Sequence, residues 1–316
     1  ELKTNKYDMI LPAELETQLL LVKNRNEIEK YTRLPFADYD LISNLQNKAW
    51  LMKIAKSRGF LCPKTYFPDN PDIKKSFINS LEYPVVIKPR ISSGSRGVVY
   101  IKNPFDLPTA YQKVHKRFPY PLIQEFIPNG GAFGVGALFN FNSKPGPTFV
   151  YKRIREYPVS GGPSTLRESV LNEEIKETAI SLLKSLGWSG VAMVEFRVDS
   201  RDGKPKLMEI NPRLWGSLQL AILSGVDFPF LLYKLAVDEH VEQVSSYKVG
   251  VKCRCLIPGE IMHFLANPDR FRLNPGFFSR ADGYDIISSD DPMPTLGRIS
   301  SLLPLLYNNE MKELLQ

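Results

Sequence analysis

The chain has 316 residues, of which 43% are hydrophobic and 24% are charged, and its formal net charge is +7. This is an ordinary globular composition, and three cysteines are too few for a disulfide framework or a zinc cluster. No apolar run reaches the ~18 residues that a membrane span needs, and the basic residues are scattered rather than gathered into a nucleic-acid-binding run. The charge is therefore weak evidence for nucleic acid and mild evidence for an anionic ligand.

The N-terminal stretch predicts one short strand and two helices. Residues 7–12 predict the strand and residues 13–31 the first helix, and the Pro- and Asp-bearing stretch 34–40 is a plausible boundary. Ser43 is suited to cap a second helix that runs to about residue 57. Lys48 lies at the flank of the apolar stripe of that helix, where a lysine is more often solvated than functional.

A Gly- and Ser-rich hairpin is predicted over residues 83–101. Its first strand ends at Lys88, and the tip that follows reads SSGSRG. The tip lacks the Lys-Ser/Thr pair of a P-loop, but small residues expose backbone N–H groups that can surround a phosphate. Because a buried-looking lysine directly precedes the tip, the pattern favours an anion site over a plain turn.

The middle of the chain predicts three more strands, a loop and a helix. The strands cover residues 121–128, 131–140 and 147–158. Residues 156–169 are rich in Gly, Pro, Ser and Thr and predict a long irregular loop, which inside a compact domain is usually functional or disordered. Residues 173–186 predict a helix with one apolar face.

Two strands joined by an Asp-Gly turn are predicted over residues 190–213. In that arrangement Glu195 lies almost opposite Glu209, with Cβ atoms roughly 5 Å apart, where like charges destabilise the pair. A divalent cation would remove the conflict. Strand alternation also puts Glu209, Asn211 and Arg213 on one face. These groups favour Mg²⁺ and the phosphates that it bridges over a merely solvated polar face.

The order of these features resembles the ATP-grasp superfamily of carboxylate–amine ligases over roughly residues 43–238. The specific part is the EINPR segment with its upstream glutamate, whereas the glycine-bearing loop alone is a weak signal. The segments GGPSTLRES and SSDDPMPTL look similar to a subgroup that includes D-aspartate-ligase-like proteins. The resemblance implies an α+β fold in which two α+β subdomains clasp ATP, preceded by an α/β front domain.

The resemblance also implies a division of the chain. Residues 1–42 would be the C-terminal remnant of the α/β front domain, and residues 43–238 the ATP-grasp domain, with a small lid subdomain at about 64–124. Residues 239–316 would be a C-terminal extension that packs on the core. Because the sequence opens without methionine or a signal peptide, we expect it to start inside a longer protein.

The resemblance assigns roles to the residues of the motifs. It implies that two lysines and the hairpin tip hold the ATP phosphates, that the QEF-type segment borders the adenine, and that Lys88 and Arg213 act in catalysis. Two Mg²⁺ ions are expected, with Mn²⁺ as a substitute. The implied ATP-binding residues are Lys48, Lys88, Ser92, Ser93, Gly94, Ser95, Gly97, Glu125, Phe126 and Ile127, and the implied metal ligands are Glu195, Glu209 and Asn211.

One departure from the family pattern concerns ribose. Many relatives carry an acidic residue some seven positions past the glutamate of the QEF-type segment, and this chain has Gly131, Ala132 and Phe133 in that region. The sequence therefore leaves open how the ribose is held.

The activity implied by the resemblance is ATP-dependent formation of an amide or peptide bond through an acyl phosphate, with an amino acid or peptide as one substrate. Bidentate pairing with carboxylates makes three arginines candidates for the substrate carboxylate, and a hydroxyl pair in the same loop could add hydrogen bonds. A hydrated, exposed strand face is the alternative for the first two arginines. The candidate substrate residues are Arg153, Arg155, Ser164, Thr165 and Arg167.

Three other functions stay open. The phosphorylated group could be bicarbonate, as in a carboxylase or carbamoyl-phosphate-type enzyme, or the chain could be a nucleotide-binding regulatory module without turnover. A nucleic-acid-binding protein is the weakest option. We expect small-molecule carboxylate and amine substrates, no nucleic acid and no membrane. A homodimer is compatible with the sequence, and the low cysteine content suits the cytoplasm.

Overall fold

The structure is a computed structural model, which describes residues 1–92, 94–241, 243–244 and 246–307. The chain divides into two compact units. Unit 1 consists of Glu1–Val150, Asn172–Trp215 and Asp227–Ser246, and unit 2 consists of Tyr151–Leu171, Gly216–Val226 and the chain from Tyr247 onward. The two units are defined by how densely residues contact one another, and not by similarity to domains of other proteins. The three-part division predicted above concerns the modules of the family and stays a prediction.

Helices and strands are combined in the described part of the chain, and the predicted α+β class is confirmed. None of the described helices is long and apolar enough to cross a membrane. The helices are α1 Leu15–Lys23, α2 Arg25–Ile28, α3 Tyr39–Gln46, α4 Lys48–Ser57, α5 Lys75–Asn79, α6 Leu107–Arg117, α7 Glu173–Ser185, α8 Leu218–Leu223, α9 Phe228–Asp238, α10 Ile261–Ala266 and α11 Met293–Tyr307. The strands are β1 Thr65–Tyr66, β2 Val85–Lys88, β3 Val99–Ile101, β4 Leu122–Glu125, β5 Asn129–Phe139, β6 Pro145–Glu156, β7 Ser164–Ser169, β8 Gly190–Asp199, β9 Pro205–Asn211, β10 Lys252–Arg254 and β11 Gly283–Tyr284.

The N-terminal helices of unit 1 are shorter than predicted. Residues 7–12 do not form the predicted strand, and Met9 makes only a single bridge to Arg33. The helix predicted over residues 13–31 is divided at Asn24 into α1 and α2. The helix predicted from Ser43 is also wrong, because Asn47 ends α3 and caps α4, accepting a hydrogen bond from the Ala49 N–H. Lys48 is consequently the first residue of a new helix.

A four-stranded antiparallel sheet in unit 1, ordered β1-β4-β2-β3, carries the predicted hairpin. β2 and β3 pair Val85 with Ile101 and Ile87 with Val99, which confirms the two strands. The apolar face of the sheet packs with α6, whose Tyr111 is fully buried in the same cluster. This packing fixes the strand that ends at Lys88.

A second set of antiparallel strands in unit 1 joins β5, β8 and β9. The strands predicted over 131–140 and 190–213 are confirmed as β5 and as the β8–β9 pair, with Gly203 at φ +70° in the turn. α7 lies where residues 173–186 predicted a helix, and its Asn172 cap accepts a hydrogen bond from the Ile175 N–H.

In unit 2, β7 pairs with β6 on one side and with β10 on the other, and β11 runs parallel to β10. The irregular loop predicted over 156–169 is therefore wrong from Ser164 onward. Most residues of β7 are buried, so this interior strand lacks the alternation of polar and apolar residues that would reveal it.

Candidate active site

The two carboxylates predicted to oppose each other do so. Glu195 of β8 and Glu209 of β9 are register partners, at the edge of a bulge that follows Glu195. Asn211, two residues further along β9, donates a hydrogen bond from Nδ2 to Glu195 Oε1 at 3.3 Å. Two carboxylates and an amide are thus gathered on neighbouring strands, and their role as metal ligands stays a prediction.

This donor set fits Mg²⁺ better than a metal held by protein ligands alone. Among the residues that the structure describes, no three His, Cys, Asp or Glu side chains form a group that could hold a metal ion. Mg²⁺ commonly takes one or two carboxylates and completes its octahedron with phosphate oxygens and water. Asn211 would have to present its Oδ1, and not the Nδ2 that now faces Glu195, to ligate such an ion.

Lys48 connects the carboxylates to the glycine-bearing loop. Its Nζ lies 3.6 Å from Glu209 Oε1 and donates to the Ser92 carbonyl at 2.8 Å. Its backbone N–H donates to the Arg90 carbonyl, also at 2.8 Å. The break at Asn47 therefore has a local consequence, because the first turn of α4 is fixed against the start of the loop.

Lys88 lies among both basic and acidic side chains. The pKa of Lys88 is lowered to about 8, chiefly by burial and also by the charges of Lys48 and Arg197, while Glu209 and Glu195 act in the opposite direction. Arg197 was missed in the sequence, although strand alternation puts it on the same face as Glu195. A phosphate near Lys88 would stabilise the ammonium form.

The hairpin tip between β2 and β3 contains three residues with a left-handed backbone conformation. Gly94, Ser95 and Gly97 have φ values of 62°, 62° and 74°, and such left-handed residues can turn successive N–H groups toward an anion. A Cβ on Gly97 would lie 2.6 Å from the Phe118 ring. Glycine is therefore required there for both conformation and space. Ser93, also predicted to bind ATP, lies outside the described residues.

A cavity of about 510 Å³ in unit 1 brings several predicted residues together. Glu209, Asn211 and Arg213 line it, as do Ser92 and Arg96 of the hairpin tip. Arg213 does not belong to the strand as predicted, because β9 ends at Asn211, and its guanidinium donates to the Leu214 carbonyl at 2.8 Å. Arg213 nevertheless reaches the same cavity as the two polar strand residues.

The residues predicted to border adenine lie at the end of β4 and directly after it. The Glu125 N–H donates to the Lys64 carbonyl at 2.9 Å and the Phe126 N–H donates to the Pro84 carbonyl at 3.2 Å, so these two backbone donors are used internally. The Glu125 carboxylate lies 3.8 Å from the Arg201 guanidinium. Ile127 is buried. Their contact with adenine stays a prediction.

The residues predicted to bind substrate all lie in unit 2, where two of the three arginines hold internal carboxylates. Arg155 Nε donates to both oxygens of Glu260 at 3.0 and 3.1 Å, and the Thr165 hydroxyl donates to the same carboxylate at 2.6 Å. Arg167 pairs with Asp285. Burial alone would raise the pKa of Glu260, but the hydrogen bonds from Arg155 and Thr165 outweigh it and lower the pKa.

The other two predicted substrate residues make weaker contacts. Arg153 lies 3.5 Å from Glu156, and its side chain is 14% exposed, against 4% for Arg155 and 3% for Arg167. The Ser164 hydroxyl is 3.4 Å from the Leu166 carbonyl, which is a long hydrogen bond. All five assignments stay predictions.

Comparison with known proteins gives one consistent family. Residues 150–256 match the family described as ATP-grasp in the biosynthetic pathway with Ter operon. The D-aspartate ligase of Enterococcus faecium (strain Aus0004) is 24% identical over 247 residues, which are 71% of this chain and 57% of the ligase. The D-alanine–D-alanine ligase B of Clostridium tetani (strain Massachusetts / E88) is 28% identical over 193 residues, which are 54% of this chain and 50% of that ligase.

Solved structures agree on the fold. A biotin carboxylase–beta-gamma-ATP complex from Campylobacter jejuni is similar over 78% of this chain and 58% of the carboxylase, with a TM-score of 0.67 and 18% identity. The chain has the ATP-grasp fold. This confirms the resemblance found in the sequence. The ATP-grasp chain spans about half the length of the curated relatives that it matches, and proteins of this family use ATP and a divalent metal ion.

Proposed function

We propose that this ATP-grasp protein is an ATP-dependent ligase that joins a carboxylate to an amine, with an amino acid or peptide as one substrate. The observation that carries the proposal is the pairing of Glu195 opposite Glu209, with Lys48 Nζ 3.6 Å from the second carboxylate. Opposed carboxylates on neighbouring strands repel each other unless a cation lies between them. The similarity to D-aspartate and D-alanine–D-alanine ligases supports the reaction class.

In the proposed site, the two lysines and the hairpin tip bind the phosphates of ATP. Lys48 already contacts the Ser92 carbonyl at the start of the tip, and Lys88 has a pKa of about 8, which phosphate binding would raise. Glycines 94 and 97 let the backbone N–H groups of the tip approach the phosphate oxygens. Glu125, Phe126 and Ile127 would border the adenine.

Glu195, Glu209 and Asn211 would hold two Mg²⁺ ions, and Mn²⁺ would be accepted in their place. When bound, the metal neutralises phosphate charge and orients the γ-phosphoryl group. The protein side of this arrangement is cationic, because Lys48, Lys88, Arg197 and Arg213 outnumber the two carboxylates. Such a balance suits a nucleotide that is still anionic after it has bound magnesium.

The reaction proceeds in two group transfers. A carboxylate oxygen of the substrate attacks the γ-phosphorus, the bond to the β-phosphate oxygen breaks, and ADP leaves. The amine nitrogen then attacks the carbonyl carbon of the acyl phosphate, inorganic phosphate leaves, and the nitrogen loses a proton. Arg213 and Lys88 stabilise the negative charge of the transferred phosphoryl group, and the hairpin tip keeps water away from the acyl phosphate.

For the substrate carboxylate we prefer Arg153 over its two neighbours. A substrate that bound Arg155 or Arg167 would have to displace Glu260 or Asp285, and both arginines are almost fully buried. Arg153 is more exposed, and Ser164 lies on the adjacent strand. Arg155, Arg167 and Thr165 would then hold the framework around it. A homodimer and a cytoplasmic location complete the proposal.

The test is release of ADP from ATP and Mg²⁺ in the presence of amino acid pools, comparing wild type with Glu209→Ala. We expect ADP release that depends on a carboxylate and an amine and that the variant lacks. Bicarbonate-stimulated ADP release without any amino acid would indicate a carboxylase instead. Nucleotide binding with no turnover across the pools would indicate a regulatory module and would contradict the ligase.

A further inference from the structure

Unit 2 carries a cluster of four aromatic rings that the proposed function does not use. We call it the aromatic cluster, and it consists of Phe264 of α10 and Phe271, Phe277 and Phe278 of the following loop. The ring centroid of Phe264 lies 5.5 Å from that of Phe271 and 4.6 Å from that of Phe277, which lies 5.1 Å from Phe278. Phe271 is 80% exposed and Phe278 is 87% exposed. Contiguous apolar surface of this kind marks interaction sites.

Two buried arginines hold the loop that carries Phe277 and Phe278 in place. Arg254, which is 3% exposed, donates to the Gly276 carbonyl at 3.0 Å and also to the Phe277 carbonyl. Arg155, 5% exposed, donates to the Pro275 carbonyl while it holds Glu260. Three successive carbonyls are therefore fixed by two buried guanidinium groups. These hydrogen bonds fix the loop while the rings of Phe271 and Phe278 are exposed to solvent. A fixed loop loses less conformational entropy when a partner binds.

The surroundings of the cluster are basic. Arg270, Arg272 and Arg280 belong to the same loop, and the Arg270 guanidinium lies 5.5 Å from the centroid of the Phe271 ring. Asp269 is the single acidic residue between positions 261 and 281. Exposed phenylalanines bordered by arginines are complementary to a partner that carries apolar groups among negative charges.

We infer that the aromatic cluster binds an acidic segment of a partner protein, one in which aspartate or glutamate accompanies apolar side chains. Phenylalanine and arginine are enriched in protein interfaces and lysine is depleted, and residues 261–282 contain no lysine. The same stretch contains no tryptophan or tyrosine, the residues enriched at a membrane–water interface. A second copy of the chain docked symmetrically through this patch would bring arginine against arginine.

The experiment selects a partner without assuming its identity. A random dodecapeptide phage library is panned against the full chain, the enriched peptides are synthesised, and their affinities are measured by calorimetry. The test variant is Phe271→Ser with Phe278→Ser. The matched control is Phe105→Ser, which removes a phenylalanine that is 87% exposed but lies in unit 1.

We expect enriched peptides to combine carboxylates with apolar residues and to bind the double variant at least tenfold more weakly than wild type. Phe105→Ser should bind them as wild type does, and Arg272→Glu should weaken them. The inference is overturned if no acidic, apolar consensus is enriched or if the double variant binds the peptides unchanged. It is also overturned if single-stranded RNA or phosphatidylglycerol vesicles bind through the cluster while acidic peptides do not. These binding readouts are independent of ligase activity.

Discussion

Two groups of charged residues in this protein differ in how far their charges are matched by neighbouring side chains. In unit 1, Glu209 lies 3.6 Å from Lys48 and its side chain is 32% exposed on the wall of a cavity. In unit 2, Glu260 is 1% exposed, and its carboxylate accepts hydrogen bonds from two nitrogens of Arg155 and from the hydroxyl of Thr165. The first group can exchange its contacts for a ligand, whereas the second is saturated by its own neighbours.

Charged side chains thus have two different uses in the two units. The buried pair of Arg155 and Glu260, with a further hydroxyl donor, is a framework, because breaking it would leave a buried charge without its partner. The unit 1 group combines opposed carboxylates with lysines whose charges repel each other, and the proposed metal ion and anion would relieve both repulsions. Residue type alone does not distinguish these uses, since both groups combine basic side chains with glutamate.

The largest expected effect is on stability, in unit 2. Glu260→Ala leaves the buried guanidinium of Arg155 without its carboxylate, which should lower the free energy of unfolding by about 3–5 kcal/mol. Glu209→Ala removes a partly exposed carboxylate and should change it by less than about 1 kcal/mol. Urea denaturation of both variants measures the difference. Equal losses in the two variants would show that the two groups do not differ as described.

The next effect is on chemistry, in unit 1. Arg213→Ala should lower kcat by about 10²–10³-fold while leaving the KM for ATP within a few-fold, because the arginine acts on charge that develops during transfer. Arg213→Lys should recover part of the loss. Steady-state ADP release gives both constants. A rise in KM with kcat unchanged would instead assign Arg213 to ground-state binding.

A smaller effect concerns pH. The pKa of Lys88 is lowered to about 8 in the free protein, and a phosphate partner raises it, so binding takes up a proton between pH 8 and the higher pKa of the complex. Nucleotide affinity should therefore fall about tenfold between pH 7 and pH 9. Lys88→Arg keeps its charge over this range and should flatten the profile. Calorimetry in buffers of different ionisation enthalpy detects the proton uptake, and its absence in wild type would contradict the assignment.

The smallest effect concerns the helix cap that positions Lys48. Asn47→Ala should cost about 1 kcal/mol of stability and weaken nucleotide binding, because the first turn of α4 loses its cap. Asn172→Ala removes the equivalent cap of α7 and serves as the matched control, with a similar stability loss and unchanged nucleotide affinity. If both variants bind nucleotide alike, the position of Lys48 does not depend on the cap.

Local patterns in the sequence were enough to predict the β8–β9 pair and the opposition of its two glutamates. The Asp-Gly turn and alternation put Glu195 almost opposite Glu209, and the bulge that follows Glu195, which has no such signal, makes the two residues register partners. The same alternation could have identified Arg197. The hairpin around residues 83–101 was predictable for the same reason, since its strands are short, apolar and close in sequence.

Distant contacts decided what the sequence could not reveal. The break at Asn47 coincides with a hydrogen bond from the Lys48 N–H to Arg90, more than a helix length away in the chain. The carboxylate that pairs with Arg155 belongs to Glu260, which comes 105 residues later in the chain. The sequence around Arg155 therefore does not indicate that its guanidinium is already paired. The sequence predicts a loop at β7 because a Gly-Gly-Pro sequence precedes the strand. The strand is also buried between two others, so it lacks the alternation of polar and apolar residues.

The most direct test of the central claim is a double-mutant cycle on Glu195 and Glu209. Binding of Mn²⁺ together with a non-hydrolysable ATP analogue is followed by electron paramagnetic resonance in wild type, Glu195→Gln, Glu209→Gln and the double variant. If the opposed carboxylates share the metal–nucleotide complex, each single variant loses affinity and the double variant loses little more than the weaker-binding single variant. Unchanged Mn²⁺–nucleotide affinity in the double variant would contradict the claim.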